Sequence, residues 1–84
     1  MTRDDIAEVY PELLCIDPKY FDEAIIGVVS RINTTAVCYS EAKIIEILMR
    51  EDNMEAAEAW EYYMFNIRGS WLGEHTPIYL EDFA

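Results

Sequence analysis

Apolar positions along the chain follow two different periods, and the change between them divides it. From Ala24 to Ile32 the run Ala-Ile-Ile-Gly-Val-Val-Ser-Arg-Ile is short and β-branched; after the polar Asn33-Thr34-Thr35, Ala36 to Tyr39 is apolar again. β-Branched residues suit a pleated, half-buried surface, so the two runs predict a hairpin. Gly27 weakens a strand unless it marks a bulge or a close backbone approach. After Tyr39 the spacing becomes helical. Ser40 is a capping residue, Glu41 suits the first turn, and Ile44, Ile45 and Leu48 form an apolar stripe. Glu46 and Arg50 are spaced for an i,i+4 pair worth about 0.3–0.5 kcal/mol. Asp52-Asn53 ends this helix, and a second one is expected from Met54 or Glu55. Its core face is predicted as Ala56, Trp60, Tyr63, Met64 and Ile67, with Glu55, Glu58 and Tyr62 opposite and Glu61 beside them. Arg68 complements the helix end and Gly69 is placed to terminate it in the left-handed conformation.

The flanks are shorter. Thr2 is expected to cap a helix carrying Asp4 and Asp5 in its first turn, limited by Pro11. Leu13 to Ile16 is apolar and reads equally as strand or helix. Asp17, before Pro18, is expected to cap a single turn holding Tyr20 and Phe21. Gly73 allows a further turn, and Thr76 to Leu80 reads as a closing strand whose Pro77 implies an edge or strand-start position. The expected fold is α+β: one compact domain over residues 1–84, with a small antiparallel sheet of three or four strands and two helices on one face.

Charge narrows the function classes. Seventeen Asp and Glu against six Lys and Arg leave a net charge of −11 over 84 residues, the wrong sign for a protein that grips phosphates, so nucleic acid is not the expected direct ligand. The apolar fraction of 52%, with two Trp, six Tyr and three Phe, is too high for a disordered acidic tail. Self-repulsion opposes compaction, which implies a salt-sensitive fold that gains from dimerisation or from a partner. Cys15 and Cys38 sit in apolar contexts that suit buried free thiols, with a disulfide as the alternative. The acidic start, Met-Thr-Arg-Asp-Asp, lacks the apolar core of a signal peptide, and no apolar run nears the roughly 20 residues of a membrane helix. A cytoplasmic location is expected. Asn33-Thr34-Thr35 matches a glycosylation sequon, which without a secretory signal is a chance match.

The inventory for catalysis is thin. His75 is the only histidine; a Cys/Cys/His metal site would need unrelated segments to converge, and the acidic segment lacks the ligand alternation and central glycine of a calcium loop. His75 is read as a turn residue. No cofactor, no metal and no enzymatic activity are expected. The acidic cluster Glu51, Asp52, Glu55, Glu58 and Glu61 has two readings: a solvated helix face, or a docking surface for a basic partner. Carboxylates at i and i+3 advance about 4.5 Å along a helix, a spacing that offers a row of negative charge to a groove that ordinarily holds a phosphate backbone. Trp60, Tyr62, Tyr63, Phe65 and Trp71 crowd into the same region, and Tyr62 and Trp71 are the candidate aromatic anchors of such a surface.

Four stretches also carry a resemblance: Phe21-Asp22-Glu23-Ala24-Ile25-Ile26-Gly27-Val28, Ile44-Ile45-Glu46-Ile47-Leu48, Glu58-Ala59-Trp60-Glu61-Tyr62-Tyr63-Met64-Phe65-Asn66 and Gly69-Ser70-Trp71-Leu72-Gly73-Glu74-His75-Thr76-Pro77. Together they resemble a group of small uncharacterised proteins of bacteriophages and prophages. That resemblance implies a phage or mobile-element origin and an α+β fold, and it brings no catalytic residues. Joined to the charge, it leads to the expectation of a phage inhibitor that binds a basic host nuclease, such as a restriction or CRISPR effector. The alternative is a structural or regulatory phage protein that self-associates or binds another phage protein.

Overall fold

In a computed structural model of the chain, which describes residues 1–82, Thr2 opens the first helix, α1 (Arg3–Ala7). The Thr2 side chain accepts from the Asp5 amide at 3.4 Å while the Asp5 carboxylate takes the Thr2 amide at 3.0 Å, so two orphan amides are satisfied reciprocally. The Leu13–Ile16 run is neither strand nor helix. It is held instead by the Ile16 amide, which donates to the Tyr39 hydroxyl at 2.9 Å, and by Arg3, which donates to the Ile16 carbonyl. A 3₁₀ helix (Lys19–Ala24) follows a cis Asp17–Pro18 bond. Its N-cap is Pro18 and not Asp17, whose carboxylate is taken by Arg3 at 2.8 Å.

Strands β1 (Ile25–Arg31) and β2 (Thr34–Ser40) form the expected hairpin, and the register slips between Ile25 and Gly27, leaving Ile26 as the extra residue of a bulge next to the glycine. The closing strand β3 (Ile78–Leu80) pairs with β2 in parallel, so the sheet, in order β1-β2-β3, is mixed where an antiparallel one was expected. The reason lies between the strands. Parallel pairing needs a long crossover that carries the chain back to the starting end of the sheet, and the helices together with the loop that follows them supply it between β2 and β3. The α+β class holds.

Helix α2 (Glu41–Glu51) is capped by Ser40, which accepts from the Lys43 amide at 3.1 Å. Ile44, Ile45, Ile47 and Leu48 are buried. Arg50 does not pair with Glu46; it pairs with Glu23 at 2.9 Å and Glu51 at 3.0 Å, leaving Glu46 to Lys43. Asn53, in left-handed conformation at φ 54°, turns the chain into α3 (Ala56–Tyr62), which continues as a π-helical segment (Tyr63–Arg68). The face turned to the core is Ala59, Tyr63 and Ile67, whereas Ala56, Trp60 and Met64 are exposed. The small Ala59 is fully buried, and the half-exposed Trp60 lies edge-on to Tyr63 with ring centroids 5.9 Å apart. Beyond Tyr63 the wider π winding breaks the 3.6-residue period that predicts Met64 inside. Gly69 sits at φ −76° and not in the left-handed region. Its lack of a side chain matters for space, since a Cβ there would meet the Met64 carbonyl at 2.9 Å.

The core joins Val37 and Tyr39 of the sheet to Ile44, Ile47 and Leu48 of α2 and to Ala59 and Tyr63. Two carboxylates are buried among the described residues: Asp22, paired with Arg3 at 2.9 Å, and Glu41. The Glu41 carboxylate, 5% exposed, accepts from the Tyr63 hydroxyl at 2.6 Å and pairs with Arg68 at 3.0 Å. Cys15 and Cys38 are free thiols, Cys15 partly buried and Cys38 buried. On the sheet face away from the helices, the register aligns Val29 with Ala36 and Cys38 with Ile78.

Candidate functional site

Four of the five candidate acids form a ridge from the end of α2 along α3. Asp52 is the C-cap of α2, Glu55 the N-cap of α3, and Glu58 and Glu61 lie within α3; all four are exposed. Glu51, the last residue of α2, is partly neutralised by Arg50. Salt bridges among the described residues engage Asp4, Asp17, Asp22, Glu23, Glu41, Glu46, Glu51 and Glu81, but none of the ridge acids Asp52, Glu55, Glu58 or Glu61. The chain from Asp52 to Ile67 contains no Lys or Arg, so the negative field there is uncompensated. Position adds to it at one end. The terminal carbonyls of α2 already carry partial negative charge where Asp52 sits, a placement that costs helix stability.

Aromatic side chains border the ridge unevenly. Tyr62 and Phe65, 41% and 76% exposed, share a shallow depression with Glu58, Glu61 and Asn66. Trp71, 77% exposed, lies apart in the loop after the π segment and lines a different depression, with Asn33, Thr34, Arg68 and Glu74. The structure therefore brings Tyr62 to the acidic row and leaves Trp71 on a mixed-charge surface.

Between these two depressions runs a groove of about 270 Å³. Asp52, Tyr62 and Asn66 form one side, Tyr20 and Phe21 of the 3₁₀ helix another, and Thr76, Pro77 and Tyr79 close it. Loss of water contact and the nearby Asp52 and Glu51 carboxylates push the Tyr20 hydroxyl above its ordinary range. Burial alone raises that of Tyr79, to about 12. The loop that ends the groove is tied internally, with the Leu72 amide donating to the Thr76 hydroxyl, and that hydroxyl to the Gly73 carbonyl, each at 2.7 Å. Gly73, at φ +110°, makes this turn possible.

Comparison with protein-family models, with curated proteins and with solved structures finds nothing that matches this chain. The site is accordingly read from its own geometry. Among the described residues no three His, Cys, Asp or Glu side chains converge as a metal site, and no helix is long and apolar enough to cross a membrane. His75 is a turn residue whose Nδ1 lies 3.0 Å from the Thr35 carbonyl; a carbonyl only accepts, so Nδ1 carries the proton. The exposed acidic row and Tyr62 are among the residues expected from sequence, whereas the groove's Tyr20, Asn66 and Tyr79 are not. Nothing in one dimension joins positions 20, 62 and 79, which three separate segments carry to the same groove.

Proposed function

We propose that the chain is a non-enzymatic protein-binding domain whose acidic ridge docks onto a basic, nucleic-acid-handling partner and competes with the nucleic acid for it. The observation that carries this reading is the set of four exposed carboxylates at Asp52, Glu55, Glu58 and Glu61, without ion-pair partners among the described residues and beside exposed Tyr62 and Phe65. Charge of one sign steers association, and exposed aromatics supply the anchoring energy that screened surface charges lack. The phage-like segments add the setting: a host nuclease, restriction enzyme or CRISPR effector in the cytoplasm of an infected cell.

The test is made on a nuclease or effector captured from host lysate by the tagged chain. Addition of the chain is expected to displace DNA from that protein, with an apparent affinity that falls as salt rises. The triple variant Glu55→Lys/Glu58→Lys/Glu61→Lys should lose at least about tenfold in affinity at low salt. Unchanged affinity in the triple variant ends the electrostatic reading.

A second reading rests on a different surface. Ile26, Val29, Ile78 and Leu80 are exposed apolar residues of the sheet, and the only charged residue within the three strands is Arg31. Self-association, or binding to another phage protein, would use this carboxylate-free sheet and would be strengthened by salt, which screens the repulsion between two acidic chains. Sedimentation at low and high salt separates the two readings.

A further inference from the structure

The groove beside the ridge has a composition that the ridge does not share. No Lys or Arg lines it, and of its two carboxylates one, Asp17, is held by Arg3, while Asp52 takes part in no salt bridge among the described residues. Phe21 and Leu48 give it an apolar base, and Tyr20, Tyr62 and Tyr79 supply three aromatic faces from three segments. Its volume of about 270 Å³ falls just under the roughly 300–1,000 Å³ of sites that enclose a whole small molecule. A single side chain matches it better.

We propose that this groove takes one arginine side chain of the basic partner, with the guanidinium against the tyrosine faces and hydrogen-bonded to Asp52. The sign of the ligand follows from the charge: an anion would meet Asp52 and the Glu55–Glu61 row with no cation among the lining residues to offset them. The shape follows from the lining. A guanidinium is planar, stacks on aromatic faces, is more weakly hydrated than an ammonium and spreads five donors. The Asp52 carboxylate, the Asn66 amide oxygen and the tyrosine hydroxyls are acceptors for them. Burial within the groove holds the Tyr79 hydroxyl protonated well beyond neutral pH, so this wall stays neutral and the carboxylate carries the charge. The inference rests on the proposed docking to a basic partner and assigns to the groove the one residue that enters it.

The test needs no partner. The isotope-labelled chain is titrated with N-acetyl-arginine methylamide, with the corresponding lysine amide and with the neutral norleucine amide, and amide shifts are followed. Saturable shifts are expected for the arginine probe, centred on Tyr20, Tyr62 and Asn66. The norleucine amide should bind at least about fivefold more weakly, and the lysine amide should also bind more weakly. Asp52→Asn and Tyr62→Leu, both at exposed positions, should each lower the arginine affinity by about threefold or more. The assignment is overturned if shifts do not saturate, if norleucine binds as well as arginine, if lysine binds more tightly, or if the shifts follow the Glu55–Glu61 row and ignore Tyr62→Leu. The lysine triple variant of the ridge keeps the groove lining intact. Arginine binding that survives in the groove while that variant leaves partner affinity unchanged would retain this site and discard the ridge as the docking surface.

Discussion

At the scale of single residues, the buried Glu41 is the most informative position, because a carboxylate at 5% exposure survives only with its partners in place. The Tyr63 hydroxyl and Arg68 supply them from the π segment, locking it to the first turn of α2. Tyr63→Phe removes one donor and leaves the carboxylate underserved, so urea denaturation is expected to show a loss of about 1–3 kcal/mol. Asp52 behaves in the opposite way. It sits against the negative end of α2, so Asp52→Asn is expected to raise stability by about 0.3–1 kcal/mol in the same assay while weakening binding at the groove. Stability and binding moving in opposite directions is the signature of a residue kept for its ligand.

At the scale of elements, two of the three glycines, Gly27 and Gly69, differ in what they tolerate. A Cβ at Gly69 meets the Met64 and Phe65 carbonyl oxygens at 2.9 and 3.2 Å, at the end of the π segment. Gly69→Ala should therefore cost about 1–3 kcal/mol through backbone displacement. Nothing lies within 4 Å of a Cβ at Gly27, so Gly27→Ala at the bulge is expected to change stability by less than about 1 kcal/mol. Thermal unfolding of the two variants side by side checks the pair. The reasoning from sequence put Gly69 at the right boundary for the wrong cause: spacing marks where a helix stops, but only packing shows whether a glycine is needed for φ or for room.

At the scale of the whole molecule, net charge and tyrosine burial set how the fold responds to its medium. Like-charge repulsion at −11 is screened over about 10 Å at 0.1 M salt, so raising NaCl from about 20 to 300 mM should lift the melting temperature by a few degrees, while affinity for a basic partner falls. Alkali acts through the tyrosines. Burial raises the hydroxyl pKa of Tyr39, Tyr63 and Tyr79 above their ordinary value, with Tyr79 at about 12. A group raised on folding contributes stability that is complete below its unfolded value and is lost as pH rises through the folded one. Stability should therefore decline progressively above about pH 10, with unfolding by circular dichroism tracking tyrosinate absorbance.

What the sequence by itself determined is everything carried by local period and composition: the hairpin with a bulge beside Gly27, the Thr2 and Ser40 caps, the apolar stripe of α2, the break at Asp52-Asn53, the α+β class and the run of acids without Lys or Arg along α3. These follow from side-chain spacing, capping chemistry and charge count, which need no knowledge of distant neighbours. The tertiary structure alone decided which residue of α3 faces inward: the small Ala59 is buried against the core and Trp60 is half-exposed. It decided that β3 runs parallel to β2, since where a long connection re-enters the sheet is set by packing and not by local spacing, and that Arg50 goes to Glu23 rather than Glu46. It also assembled Tyr20, Asp52, Tyr62 and Tyr79 around one groove. A site built from separate segments has no period, and so leaves no mark in one dimension.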